Sequence, residues 1–201
     1  MDKQDIQHCT AFEGSHCIAS GNLAEVAQKV KEIIDQEEHA PVLVFDDVTS
    51  EFIEIDFRGT VEDVLKRLEK PMDKGKSATE PLNGNKNAQR GRGRPKLGVV
   101  SREVTLLPRH WEWLNSQPGG ASVALRKLVE EARRVNSTRD KVRHSQEVAY
   151  RFMSAMAGNL PGFEEATRAL FAADSERFTS LVCSWPVDIR DYTMKLSQAA
   201  F

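Results

Sequence analysis

The sequence has no apolar run approaching the roughly 18–20 residues needed to span a bilayer. Its first ten residues, MDKQDIQHCT, are acidic and polar and hold no apolar core of a secretory leader. Both absences lead to the expectation of a cytoplasmic protein with no membrane partner. Cysteine is sparse and odd in number, with Cys9, Cys17 and Cys183 alone, so a disulfide framework is not expected. His8-Cys9 and His16-Cys17 could ligate zinc, but neighbours on a strand point to opposite faces and the usual paired-cysteine spacing is missing. Buried thiols and surface histidines are the reading we carry forward, with no metal. No glycine-rich phosphate loop follows a predicted strand, and no nucleophile motif stands out. His110 beside Arg109 and Glu112 is the nearest thing to a catalytic constellation, and it reads as a solvated helix face. The expectation is no catalytic residue, no cofactor and no enzymatic activity.

What is present is charge, and it is unevenly placed. The net charge of −2 divides into −9 for residues 1–83, +9 for residues 84–145 and −2 for residues 146–201. A basic middle between acidic ends suggests a segment that binds a polyanion. Alternatively, the acidic first part docks on the basic middle and the two neutralise each other.

Patterning predicts an α+β protein in four parts. Residues 1–70 read as a small acidic α+β domain. Thr10–Ile18 is a weak strand. Asn22 caps a helix with Glu25 three residues on, and Leu23, Val26, Ala27, Val30, Ile33 and Ile34 form its apolar face. PVLVF is a buried-strand run, Asp46–Ser50 a solvated turn, and EFIEIDF an alternating strand completing a hairpin. The Asp46-Asp47 pair could bind a cation, but a solvated turn is the simpler reading. Thr60 and Asp63 then open a short helix. Residues 71–101 form a flexible basic linker, too poor in large apolar residues to offset its ordering entropy. Residues 102–136 contain a predicted short strand, REVTLL, a helix from Pro108 carrying Trp111 and Leu114 on one face, a Pro-Gly-Gly turn, and a second helix with Leu125, Leu128, Val129 and Ala132 in a stripe. About 33 residues cannot bury a core alone, so this part must dimerise or dock elsewhere. Residues 137–201 are a helical bundle.

Two segments carry the functional expectation. Arg92-Gly93-Arg94-Pro95, flanked by Arg90 and Lys96, resembles the core of an AT-hook. The narrow minor groove of A·T tracts is strongly negative and attracts inserted arginines. Glycine lets the backbone press toward the groove floor, and the proline holds Arg94 extended. The resemblance implies that Arg92 and Arg94 enter the groove, Gly93 faces its floor, and Arg90 and Lys96 reach phosphates. Gly91 stands where that pattern usually has proline, which makes the segment less stiff. Generic polyanion or RNA contact, and a solubilising linker, are the alternatives for this stretch.

The strand, helix, glycine turn and helix from Arg102 to Arg134 resemble the ribbon-helix-helix family of bacterial DNA-binding proteins. That resemblance implies a homodimer whose paired strands enter the major groove, with Arg102 as a base reader. It implies phosphate contact at Gly120, Ala121 and Ser122 and a dimer core of Leu125, Leu128 and Val129. A helical hairpin packed on the rest of the chain is the alternative. REVTLLPRHWEWL, PGGASVALRKLVEEARR and PGFEEATRALFAAD also resemble a bacterial domain-of-unknown-function family, which implies no activity. The expected function is therefore DNA binding to A·T-rich duplex, as a transcriptional regulator or nucleoid-associated factor, with an unknown protein partner for the acidic domain. The alternative is a protein-interaction module, for which an exposed tryptophan on the Trp111–Trp113 helix would be an anchor.

Overall fold

A computed structural model of the chain describes residues 8–36, 41–69, 100 and 102–201. Internal contacts divide the chain into two units, Met1–Met72 with Asn136–Phe201, and Asp73–Val135. Among the described residues no helix is long and apolar enough to cross a membrane.

The first unit is built on a three-stranded antiparallel sheet in the order β2-β1-β3, with β1 His8–Glu13, β2 His16–Asn22 and β3 Val42–Asp46. The predicted single strand over Thr10–Ile18 is instead a hairpin, closed between Glu13 and His16 with Gly14 at φ 54°. A turn this tight needs positive φ, which glycine supplies without Cβ strain. Helix α1, Leu23–Ile34, follows directly, and the Asn22 side chain accepts from the Glu25 amide at 2.9 Å as the predicted cap.

The sheet is covered on both faces, which is why PVLVF reads as a continuous apolar run. Cys9, Ala11 and Val44 turn toward Val26 and Val30 of α1. Phe12 and Phe45 turn the other way, into the main core. That core is completed by helices from the end of the chain. These are α5 Phe163–Phe171, α6 Ser175–Val182, α7 Val187–Ser197, and the last part of the long helix α4 Gly120–Met156. Phe152 on α4 lies 5.3 Å from Phe12, 5.1 Å from Phe45 and 4.7 Å from Tyr192, ring centre to ring centre. Tilted and edge-on contacts of this kind add to the burial of the rings themselves.

EFIEIDF does not form the second strand of a β3 hairpin. A single bridge, Phe45 to Phe52, joins it to β3, with the Asp46 amide donating to the Glu51 carbonyl at 3.0 Å and the Ile53 amide to the Val44 carbonyl at 2.8 Å. The alternation survives without the ladder, because Ile53, Ile55 and Phe57 pack against the α1 side of the sheet while Glu54 and Asp56 face solvent. The chain then turns into α2, Val61–Glu69. Here the Thr60 amide donates to Asp63 Oδ2 at 3.1 Å, and the Asp63 amide to Thr60 Oγ1 at 3.3 Å, a reciprocal cap.

The turn after β3 is not solvated as expected. Asp46 Oδ1 accepts from the amides of Val48 and Thr49, fixing the turn from inside. The Asp47 carboxylate is only 14% exposed. Its Oδ1 accepts from Thr10 Oγ1 at 2.7 Å and Tyr192 OH at 2.9 Å, and its Oδ2 from Lys195 Nζ at 3.0 Å. A carboxylate taken out of water is tolerated when donors surround it in this way. Burial, with the Asp47 charge next, pushes the Cys9 thiol from 9.0 up to about 12. The same two causes push the Tyr192 phenol above its ordinary range.

Two outcomes follow from this packing. Phe152→Ala, which empties the centre of the aromatic core, lowers stability by about 3–5 kcal/mol in urea unfolding. Because Cys9 and Tyr192 bind their protons more tightly folded than unfolded, the stability they contribute is complete below pH 9 and is lost as pH rises toward 12. The urea midpoint of the wild type accordingly falls between pH 8 and about 10.5, and less steeply in Cys9→Ala.

Candidate nucleic-acid interface

Arg102, the sequence-predicted base reader, lies exposed in the segment 102–107, ahead of helix α3, Pro108–Ser116. That segment pairs with no strand among the described residues, where REVTLL reads as one. Within one chain it has no ladder partner, and an unpaired stretch cannot satisfy its backbone groups as a strand does. Proline at the first helical position starts α3, as the sequence predicts, since its missing N–H would be unpartnered there anyway. Leu114 is buried, and the Gln117 amide donates to the Leu114 carbonyl to end the helix.

Gly119 and Gly120 make the connection to α4 with φ of 89° and 74°. A Cβ on Gly119 would meet the Val123 side chain at 3.2 Å, whereas one on Gly120 would meet nothing within 4 Å. The Gly120 amide donates to the Gln117 carbonyl at 2.9 Å, which closes the turn. Gly120, Ala121 and Ser122 therefore form the first turn of α4, the place where helix amides lack intrahelical partners and favour an anion.

From Gly120 to Ser145 the α4 sequence carries seven basic residues against three acidic, a net of +4. Arg133 and Arg134 pair with Glu130 and Glu131 one turn back, at 3.1 and 4.0 Å, in fully solvated geometry. Exposed pairs of this kind are worth little and exchange readily for a phosphate. Arg102, Arg109 and Lys127 have no ion-pair partner among the described residues. The expected dimer-core residues are open in this chain, with Leu125 half-buried, Leu128 46% exposed and Val129 54% exposed. The boundary expected at 136/137 falls inside α4, a 37-residue helix.

The core of the AT-hook-like segment, Arg90, Arg92, Gly93, Arg94, Pro95 and Lys96, lies outside the described residues. In the first unit two open grooves, of about 370 and 450 Å³, are lined by surface residues such as Arg67 and Arg151 that are already ion-paired or hydrogen-bonded. No three His, Cys, Asp or Glu side chains among the described residues are placed to hold a metal. A polar cluster the sequence did not reveal is that around Asp47. Thr10, Tyr192 and Lys195 are 37, 145 and 148 residues from Asp47 along the chain, and no local pattern links them.

Residues 8–197 match the family DUF2239, described as an uncharacterized protein conserved in bacteria. The chain belongs to that family. The DUF2239 match takes in the whole sheet, the Asp47 cluster and helices α1 to α7. No curated protein and no solved structure matches the chain.

The two turn glycines separate by their surroundings. Both Gly119→Ala and Gly120→Ala place a side chain at positive φ, at about 1 kcal/mol each. Gly119→Ala additionally crowds Val123. It is therefore expected to lower the thermal unfolding midpoint more than Gly120→Ala does, as followed by circular dichroism.

Proposed function

We propose that this protein binds DNA through its basic middle, as a transcriptional regulator or nucleoid-associated factor. The observation that carries the reading is the +9 charge of residues 84–145, set within an otherwise acidic chain and densest around Arg92-Gly93-Arg94-Pro95. Phosphate attraction and counterion release supply affinity. Arg92 and Arg94 enter the minor groove of A·T-rich duplex, with Gly93 against its floor, and Arg90 and Lys96 rest on phosphates. The first turn of α4, at Gly120, Ala121 and Ser122, offers backbone amides to a further phosphate. Two copies pair through Leu125, Leu128 and Val129 in the manner of a ribbon-helix-helix dimer. Strand pairing of 102–107 between copies would give that segment the ladder it lacks in one chain and bring Arg102 to base edges.

The exposure of Leu128 and Val129 favours a second reading, a protein-interaction module in which this face takes up another protein. The two readings part on one experiment. Fluorescence anisotropy on A·T-rich and G·C-rich duplexes, with wild type and the Arg92→Ala/Arg94→Ala variant, is expected to show tighter A·T binding that the variant loses. Absence of duplex binding at low salt would leave the interaction module as the reading.

A further inference from the structure

We draw no further inference here: the strongest candidate, the exposed apolar patch of Leu128, Val129 and Val135 on helix α4, belongs in part to the dimer face already proposed, and nothing in the structure shows what covers the rest of it.

Discussion

The Asp47 carboxylate is the point on which the first unit depends. Three donors reach it from three elements: Thr10 on β1, and Tyr192 and Lys195 one turn apart on α7. The Asp47 amide donates to the His8 carbonyl, so backbone and side chain together tie the β3 turn to the first strand. Directly beneath lies the aromatic core of Phe12, Phe45, Phe152 and Tyr192. Tyr192 belongs to both, with its ring in the core and its hydroxyl on the carboxylate. The beginning and the end of the chain are thus joined at one place. Removing the carboxylate would leave a buried phenol and a threonine hydroxyl competing for weaker acceptors, at a cost typical of unsatisfied buried groups. Burial raises the proton affinities of Cys9 and Tyr192, and the Asp47 charge raises them further.

Local signals in the sequence were legible and long-range ones were not. The caps at Asn22 and Thr60 and the helix start at Pro108 appear where the residues predict them. Each depends on atoms within three or four residues of one another. The hairpin of β1 and β2 reads from sequence as one weak strand because its residues include Ala, Ser, Gly and Cys, which have little strand preference of their own. It forms because both faces of the sheet are covered, one by α1 and the other by helices from the far end of the chain. EFIEIDF shows the converse, since its alternation correctly marks the buried positions but does not guarantee a ladder. The part boundary expected at 136/137 lies within one residue of the division between the two units, and α4 runs unbroken across it. No glycine or proline interrupts residues 121–157, and Arg143 pairs with Asp140 and Glu147 along the solvated turns.

The candidate interface was legible in its charge and not in its shape. Segregation of basic residues into 84–145 is a property of the sequence alone. Which hydrophobic residues of that region would face solvent is not, because a stripe such as Leu125, Leu128 and Val129 reads the same whether it is buried in the chain or open. Trp113 illustrates the point. Its spacing from Trp111 required that the two not share a face, but only the packing of Leu114 decides that both rings are left outside. An acidic unit held together by an internal carboxylate is thus accompanied by a basic region in which, among the described residues, Arg102, Arg109 and Lys127 have no ion-pair partner and Trp111 and Trp113 are exposed.

The account rests most heavily on phosphate contact by the basic middle, and the salt dependence of DNA affinity measures that directly. If about five phosphates are neutralised, the logarithm of the association constant falls against the logarithm of salt concentration with a slope of about −4.5. A slope in that range, on duplex of either composition, is the predicted result. A slope near zero would show that the cations of residues 84–145 are engaged elsewhere and would contradict the account.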